Sequence, residues 1–593
     1  MKTKHQQLRS LMLAIATALI GLFTISACDT AEPGAQAARP ATARQISGLD
    51  LVTVINNNDL MPPLQVRNFN SYNQPSVNTD GQVVIRARSR GGSSLGQPTH
   101  GIYSRDMALD NSPVISVLDR SSLVPQPNNL GTSFVETPSF PRIDMNSDTI
   151  ATRGNHQPAW RYLLDDGSET RAGTTGIYTN PFGSLITGAS KLGDVTEFSF
   201  FEVPEFRGIR FEVFPGSPAV TQGNIIAFKG NYTVDQIGKT GVYYRQLEPG
   251  PTGGNSPVVL IANNTDTLIP YTSTVFGSTA PPSAAGNHVV FAGFDNEEDP
   301  TLGGIYLAPL QYQPKLTTLV SIGQQVPGQP ADQTFNGLGE GVAFDGRFVG
   351  FWGAWGYDTK TMRLYCAEEG NKDRIAYCNQ ALVCRDTGQV IGDPNSICDD
   401  MNDPKFGTSC YQLREVPVHQ GIFVQDLKTG KTAPVAMSGE QFDEFLFWNY
   451  SGKTPCVGGG HSEEGGEDDG EPARWRSSAF VAVGSGEGAN FSAAFKARSG
   501  GQDVVDGIYL KKGTWHSPII TVLDTSMDGQ ALDPEAPAGS TITELGLERE
   551  GLRGDWLAIN ASMGIEGGSE EDGIAGIYLT HLPSGRIWPE HDE

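Results

Sequence analysis

Six cysteines are the residues of this sequence whose spacing points most directly to chemistry. Apart from Cys28, every cysteine lies in one segment of the chain: Cys366, Cys378, Cys384, Cys398, Cys410 and Cys456. A metal site would need closely spaced ligands, yet the sequence contains no CxxC pair and no histidine at ligand spacing from these thiols. An even number of cysteines in an exported chain favours disulfides. We therefore predict three bridges within this segment, with the pairing left open, and no metal.

Two runs of carboxylates form a second group with possible chemistry. The candidate binding residues are Asp295, Glu297, Glu298 and Asp299 in one run, and Glu570, Glu571 and Asp572 in the other. Crowded carboxylates can bind Ca²⁺ or a basic partner. No stretch fits an EF-hand loop, so solvated turns that maintain solubility are the alternative interpretation. We predict no cofactor, with Ca²⁺ as the one ion that these runs would suit.

Enzyme signatures are weak in this sequence. The GxSxG match at residues 92–96 lies in a polar loop, whereas a nucleophile elbow follows a buried strand and precedes a helix. The sequence has no HExxH, P-loop or dinucleotide pattern, and its nine histidines are dispersed. We predict no catalytic residue. A carboxylate pair for glycoside chemistry could still be present among the 67 acidic residues, so this class stays open.

A recurring triplet of glycine, a β-branched residue and an aromatic residue indicates what positions these groups. Its seven copies begin at Gly101, Gly176, Gly241, Gly304, Gly421, Gly507 and Gly576. Each copy lies among short β-rich runs separated by Gly, Pro, Asn or Asp, which gives four strands per unit. Such sheets bury both faces only by packing radially as blades. The sequence predicts an all-β, seven-bladed β-propeller, with the triplet glycine explained by its backbone freedom.

The two ends of the repeat array predict how the ring closes. The segment "LDLVTVINNNDLMP" at residues 49–62 resembles the end of a repeat, yet no repeat precedes it. The last repeat has only a short segment after its triplet. We therefore expect the N-terminal strand to complete the seventh blade, which would remove an exposed sheet edge.

The longest loops are expected on one face of the propeller. Those joining second to third strands, and fourth strands to the next blade, meet on the same side. The fifth repeat carries an insertion at residues 357–420 with five of the cysteines, and an acidic loop follows at 452–476 with Cys456. This loop-rich face is the predicted site for a protein or glycan partner.

The N-terminus resembles that of a bacterial lipoprotein. Basic residues precede an apolar run too short to span a membrane, and Ile25-Ser26-Ala27-Cys28 resembles a lipobox. We predict a signal peptide at residues 1–27, then lipidated Cys28 and a flexible tether at 28–48, with the propeller at 49–593. An ordinary secretory peptide cut nearby is the alternative.

The repeat organisation resembles the bacterial tandem-repeat propellers named for an NxxGxxAF motif, and more distantly the TolB-type propellers. Asn78 and Gly81 match two motif positions in the first repeat, and Ala227-Phe228 and Ala494-Phe495 match the other two elsewhere. The resemblance covers residues 50–585 and implies the fold rather than an activity, because propellers support binding, scaffolding and catalysis alike.

Charge and processing together define the functional hypotheses. The formal net charge of −25 disfavours nucleic acid as a partner. We predict a lipid-anchored protein of the bacterial cell envelope, on the periplasmic side of a membrane or at the cell surface, that binds or scaffolds through its loop-rich face and is not an enzyme. The alternatives are a carbohydrate-active hydrolase or lyase with carboxylates in the propeller funnel, and a structural envelope component.

Overall fold

The computed structural model describes residues 49–583 except 92–96, 165, 174, 369, 399–409, 440, 457–471, 487–490, 501–503, 566 and 569–572. Cys28, Glu570, Glu571, Asp572 and the GxSxG match lie outside the described residues. Within the described part the chain forms seven antiparallel sheets of four strand positions each, arranged as the blades of a propeller. The predicted fold class is confirmed.

The strands of the first four blades follow the chain in order. Blade 1 contains β2 (Phe69–Tyr72), β3 (Ser76–Val77), β4 (Gln82–Ser89), β5 (His100–Asp106) and β6 (Ile115–Asp119). Blade 2 contains β7 (Phe134–Glu136), β8 (Arg142–Ile143), β9 (Ile150–His156), β10 (Thr175–Thr179) and β11 (Ile186–Ala189). Blade 3 contains β12 (Ala219–Thr221), β13 (Ile225–Val234), β14 (Ile237–Gln246) and β15 (Val259–Asn263). Blade 4 contains β16 (Ser278–Thr279), β17 (Ser283–Ala285), β18 (His288–Phe294), β19 (Gly303–Pro309) and β20 (Thr317–Ser321).

The last three blades contain the longest strands and the closure. Blade 5 contains β21 (Phe335–Leu338), β22 (Ala343–Phe344), β23 (Phe348–Tyr365), β26 (Tyr411–Asp426) and β27 (Lys431–Met437). Blade 6 contains β30 (Val481–Ser485), β31 (Phe491–Ser499), β32 (Val505–Gly513) and β33 (Ile519–Asp524). Blade 7 contains β34 (Thr541–Gly546), β35 (Leu552–Arg553), β36 (Trp556–Gly564), β37 (Ile574–His581) and β1 (Val52–Asn56).

Two small hairpins and four short helical segments lie outside the blades in the described part. The hairpins are β24 (Leu382–Val383) with β25 (Val390–Ile391), and β28 (Phe447–Ser451) with β29 (Arg474–Ser478). The α-helices are α1 (Lys372–Cys378) and α2 (Gly529–Leu532), and the 3₁₀ segments are Leu192–Asp194 and Thr196–Phe201. Asn371 begins α1, since its side chain accepts from the backbone N–H groups of Asp373 and Arg374. No described helix is long and apolar enough to cross a membrane.

The ring closes through its first strand, as the sequence predicts. β1 pairs antiparallel with β37, with Val52 opposite Leu579 and Asn56 opposite Gly576. The Asn56 side-chain amide donates to Asp533 Oδ2 at 3.1 Å, and the Tyr578 hydroxyl donates to the same oxygen at 2.9 Å. The last blade is therefore completed by a strand from the other end of the chain, and β37 is not left as an edge strand.

The triplets lie in the third strand of every blade, but the expected reason for their glycine is wrong. None of the seven triplet glycines has a positive φ. Instead, in six of the seven triplets the aromatic residue two positions later folds back over the glycine: a Cβ built at Gly176 or Gly576 would lie 2.8 Å from the Tyr178 or Tyr578 hydroxyl. Residues i and i+2 of a strand share a face, so this close approach requires a glycine. At Gly304 the close neighbour is the carbonyl oxygen of Val320 in the fourth strand.

A phenylalanine completes this packing unit in six blades. Its ring meets the triplet aromatic ring edge-on, with centroids 4.8 to 5.2 Å apart. The six phenylalanines are Phe69, Phe134, Phe211, Phe276, Phe335 and Phe442. Edge-to-face contacts of this kind add to the stability that area burial already gives.

The apolar core consists of seven layers, one between each pair of neighbouring blades. The layer between blades 7 and 1 contains Val54, Ile577, Val83 and Tyr103, so the closing strand is part of it. Burial on both faces of each blade is what makes the ring a single cooperative unit.

The insertion expected at residues 357–420 of the fifth repeat is only partly a loop. β23 and β26 continue past the blade as one ribbon, paired from Thr359 with Pro417 to Tyr365 with Tyr411. Both ends of the predicted loop are thus strands. Only residues 366–410, which we call the cystine cap, lie beyond this ribbon, and their described part contains α1 and the β24–β25 hairpin.

Candidate functional site

A funnel at the mouth of the central channel, on the loop-rich face, is the candidate site. Its volume is about 690 Å³. It is lined by innermost segments of blades 2 to 7, including Phe140, Ser217, Pro281, Gly339 and Glu548. In five blades the first strand consists of two short pieces with a break between them. At Pro281 the missing N–H prevents a continuous ladder, which turns the chain toward the funnel.

The floor of the funnel is crossed by an ionic network. Arg142 Nη1 lies 2.6 Å from Glu548 Oε1, and both side chains are buried. The adjacent Arg549 donates from Nη1 to the carbonyl oxygen of Pro281 at 3.1 Å, which joins blade 7 to blade 4 across the channel. Arg549 Nε lies 3.8 Å from the same glutamate oxygen. These contacts close the bottom of the funnel, so the site is a cup whose floor is this ionic network.

The hairpin formed by β28 and β29, here called the roof hairpin, covers one side of this cup. Trp448, Arg474, Trp475 and Arg476 line the funnel from it. Trp352 lines the funnel from blade 5, where its indole N–H donates to Gln420 Oε1 at 3.1 Å. Three tryptophans and several charged side chains therefore share one cavity.

The roof hairpin is fastened firmly to the cystine cap. Cys456, which follows β28, is disulfide-bonded to Cys384 of the cap. The Tyr450 hydroxyl donates to Asp393 Oδ2 at 2.6 Å. Burial, followed by this hydrogen bond and the charge of Asp393, raises the pKa of Tyr450, so the phenol is a neutral donor. The roof hairpin also contacts blade 4. Arg474 Nη2 lies 3.4 Å from Glu297 Oε1, and its Nη1 lies 3.2 Å from Glu298 Oε1.

A second cavity of about 300 Å³ lies between the roof hairpin and α1. Arg374, Ile375 and Tyr450 line it together with Trp448 and Trp475. Both tryptophans therefore contribute to two cavities. Their indole N–H groups are buried and have no acceptor among the described residues.

The first predicted acidic run does not act as one cluster. Asp295 accepts hydrogen bonds from the backbone N–H groups of Thr301 and Leu302 and from the Thr301 hydroxyl, so it closes its own loop. Burial acts to raise its pKa, but these hydrogen bonds outweigh burial and lower it. Glu297 and Glu298 pair with Arg474, as described above. Asp299 donates its backbone N–H to the Asn296 side chain.

The six cysteines of the fifth repeat form three bridges. The structure pairs Cys366 with Cys378, Cys384 with Cys456, and Cys398 with Cys410. Two bridges close short loops inside the cystine cap, and the third joins the cap to the roof hairpin. In the described part of the chain, no group of three or more His, Cys, Asp or Glu side chains is placed to hold a metal ion.

Sequence reasoning missed the funnel residues Trp352, Trp448, Trp475, Arg142 and Arg549. A usable signal was present in "FWNYS" and "RWRSS", which flank the acidic loop and pair as β28 and β29. Aromatic and arginine residues are typical of binding surfaces. By contrast, nothing local distinguishes Arg142 or Arg549 from other arginines of the chain.

Comparisons with known proteins do not identify a family. No protein-family model matches the sequence, and no curated protein matches it. Among solved structures, the GH32 beta-fructofuranosidase BmSUC1 of Bombyx mori matches at 9% identity and a TM-score of 0.24, covering 89% of this chain and 95% of that chain. Fructan 1-exohydrolase IIa from Cichorium intybus matches at 8% identity and 0.24, covering 92% and 99%. The tricorn protease matches at 11% identity and 0.15, covering 84% and 43%. Similarity this low carries no argument about function.

Proposed function

We propose that the protein is a lipid-anchored envelope protein that binds a saccharide in the funnel. The observation that supports this most directly is the combination of three tryptophans with paired charged groups in one cup of about 690 Å³. Pockets of roughly 300 to 1,000 Å³ with aromatic walls and a few polar groups are typical of small-molecule sites. Sugar rings present apolar faces to indoles and hydroxyls to charged side chains, so both kinds of lining group would be used.

Binding is favoured over hydrolysis by the ion pairs of the funnel carboxylates. Glu297 and Glu298 pair with Arg474, and Glu548 pairs with Arg142. Glycoside hydrolysis needs two carboxyl groups that are placed to act directly on the glycosidic bond. Carboxylates already engaged by guanidinium groups are better suited to fixing the orientation of a ligand by hydrogen bonds.

Sequence features support the lipid anchor. The lipobox at Ile25-Ser26-Ala27-Cys28 and the NxxGxxAF resemblance are the sequence support for this part of the proposal. The three disulfides agree with it, because disulfides are typical of extracytoplasmic proteins.

Anchoring is tested by Cys28→Ala in the full-length chain. We expect the variant to stay unprocessed or to move from the membrane to the soluble fraction, because two or three acyl chains hold a protein firmly whereas the tether alone does not. Cell fractionation with intact mass measurement reports both outcomes. An unchanged fractionation and mass would contradict lipidation and leave funnel binding unaffected.

Binding is tested with a panel of oligosaccharides and titration calorimetry. Trp475→Ala and Trp448→Ala should each raise the Kd of the tightest-binding saccharide by about tenfold, since a loss of ~1.4 kcal/mol of binding free energy changes Kd by that factor. Tyr271→Ala is the matched control, because this exposed aromatic lies between blades 3 and 4 on the same face but does not line the funnel. Equal weakening by the control, or no saccharide bound at all, would contradict the proposal and favour a structural role.

Hydrolysis is the second candidate, because Glu297, Glu298, Glu340 and Glu548 all line the same funnel. Prolonged incubation of the bound saccharide, followed by mass spectrometry, separates the two functions. We expect the saccharide to remain intact. Cleavage that Glu340→Gln or Glu548→Gln abolishes would establish a hydrolase instead.

A further inference from the structure

The cavity of about 300 Å³ between the roof hairpin and α1, here called the cap cavity, is a second concave site beside the funnel. Arg374, Ile375 and Cys378 line it from α1, and residues of β28 and β29 line it from the hairpin. No aspartate or glutamate is among its described lining residues. Its volume is at the lower end of the range for small-molecule sites, which suits one ring of a ligand rather than a whole oligosaccharide.

The wall of the cap cavity presents two hydrogen-bond donors without a described acceptor. The indole N–H groups of Trp448 and Trp475 are buried, and no described residue accepts from them. An unsatisfied buried donor is costly, so native proteins rarely keep one without a protein group, a water or a ligand as its partner. The Tyr450 hydroxyl on the same wall differs, because it donates to Asp393. The cavity therefore offers two donors to a molecule that brings acceptors.

Strand register places these two donors together. Trp448 is two positions before Tyr450 in β28, and Tyr450 is opposite Trp475 in β29. The three side chains therefore lie on one face of the roof hairpin. The rings of Tyr450 and Trp475 meet edge-on, with centroids 5.5 Å apart. Because the disulfide between Cys384 and Cys456 also holds the hairpin on the cystine cap, this wall is preformed.

The same two indoles are shared with the funnel. Trp448 and Trp475 line both cavities, and no other described residue does. A sugar unit that packs against these indoles from the funnel is therefore adjacent to the cap cavity. The next unit of the same saccharide would meet the indole N–H groups and the apolar side chain of Ile375.

We infer that the cap cavity is a second subsite, and that the ligand of the funnel is an oligosaccharide whose end unit lies there and accepts hydrogen bonds from Trp448 and Trp475. A hydroxyl group accepts hydrogen bonds as well as donating them, so a sugar ring supplies the acceptors that this wall lacks. This inference rests on the proposed saccharide binding and adds the length of the ligand. The alternative is that water satisfies both N–H groups and the ligand occupies the funnel alone.

The test measures how Kd depends on the number of sugar units. The probes are the homologues of one to six units of the saccharide that binds most tightly in the panel. Titration calorimetry with the full chain should show a step at which one added unit lowers Kd by about tenfold, because a newly filled subsite adds contacts. Trp475→Phe keeps an aromatic ring and removes the N–H group, so it should reduce this step by about threefold.

A variant that fills the cap cavity locates the added unit. Ile375→Trp does so from α1 without changing a funnel residue, so it should abolish the step and leave the Kd of the shorter homologues unaltered. Val383→Trp is the matched control, because this apolar residue of the cystine cap is exposed and lines neither cavity. A melting temperature within about 2 °C of the wild type shows that a variant is folded. If Ile375→Trp does not fold, Trp475→Phe is the deciding variant.

The outcomes separate this inference from the proposed function. A step that Ile375→Trp abolishes and Val383→Trp keeps would support the inference. A Kd that does not depend on chain length would overturn it and leave saccharide binding in the funnel intact. A step that persists in Ile375→Trp, keeps its full size in Trp475→Phe, or is lost in Val383→Trp as well would overturn the placement in the cap cavity. Absence of binding for every saccharide of the panel would contradict the proposed function itself.

Discussion

The blade ring and the roof, meaning the cystine cap with the roof hairpin, are stabilised by different means. The ring buries seven apolar layers and closes by strand pairing, and no cysteine lies between residues 49 and 365. The roof has one small cluster formed by Cys366, Cys378, Cys410, Tyr450 and Ala473, and three disulfides. A segment this small cannot bury enough apolar surface to be stable without cross-links.

The candidate site lies where these two regions meet. Its floor consists of Arg142, Glu548 and Arg549 from the ring, and one wall consists of Trp448 and Trp475 from the roof. The difference shows that two kinds of structure contribute to one site. The repeated ring provides the charged floor, whereas a cross-linked addition to one repeat provides two of the three tryptophans. Binding residues are commonly carried by loops on a rigid scaffold in this way.

The largest expected effect is a loss of stability of the blade ring as the pH falls. Burial lowers the pKa of His156 to about 4 from 6.5, despite a hydrogen bond with Gln157 that acts to raise it. Burial, with Arg86, Arg120 and Arg88, lowers the pKa of His100 to about 3. The unfolded chain binds the protons first, so stability is fully present above pH 6.5 and falls as pH drops from there toward these values. The loss is about 3 kcal/mol for His156 and about 5 kcal/mol for His100, so the two together exceed any single substitution considered below.

Urea unfolding of wild type and His156→Gln as a function of pH measures this effect. The variant should show a smaller loss of stability between pH 6.5 and 4. His516→Gln is the control, since this histidine is exposed. Parallel pH curves for all three proteins would show that His156 does not set the acid sensitivity of the ring.

A core substitution should have the next largest effect. Phe276 is 2% exposed and meets the Tyr306 ring edge-on, with centroids 5.2 Å apart. Phe276→Ala should lower the free energy of unfolding of the ring by about 3 to 5 kcal/mol through lost burial and a cavity. Tyr271→Ala, only a few residues away and exposed, should change it by less than about 0.5 kcal/mol. Similar effects of the two substitutions in denaturant unfolding would contradict the packing unit.

Removal of the cap-to-hairpin disulfide should act on the roof alone. In Cys384→Ser/Cys456→Ser the bridge over 72 residues is lost, which corresponds to about 4 kcal/mol of chain entropy in the roof. Amide exchange in β28 and β29 should become faster, while the free energy of unfolding of the ring should change by less than about 1 kcal/mol. Global unfolding of the double variant would show that the two regions are one unit. Cys366→Ser/Cys378→Ser, which opens a loop of 12, is the comparison.

The smallest expected effect concerns the ion pairs between the roof hairpin and blade 4. Arg474 and its partners Glu297 and Glu298 are 37%, 51% and 79% exposed, so water and salt screen their attraction. Arg474→Ala should change the free energy of unfolding by less than about 1 kcal/mol. Amide exchange of β29 should rise modestly, and 0.5 M salt should produce the same rise in the wild type. No change relative to the exposed control Lys431→Ala would show that this contact does not hold the hairpin.

Much of the ring could be predicted because its signals are local and repeated. Each triplet marks one third strand, and the unpaired first strand at residues 52–56 indicates the closure. Even so, the reason for the glycine was missed. A Cβ at Gly241 would lie 2.7 Å from the Tyr243 hydroxyl, and this contact depends on how the ring of Tyr243 is packed against Phe211. Sequence spacing does not report such packing.

The sequence by itself determined the number of blades, the closing strand and the segment that contains the disulfides. Only the tertiary structure decided the site. Arg549 reaches Pro281 over a separation of 268 residues, and the tryptophans at 352, 448 and 475 come from separate elements. Strand patterns follow from the alternation of side chains along each segment, which a sequence displays directly. Contacts across a closed ring depend on the radial position of every blade, and no local pattern encodes that position.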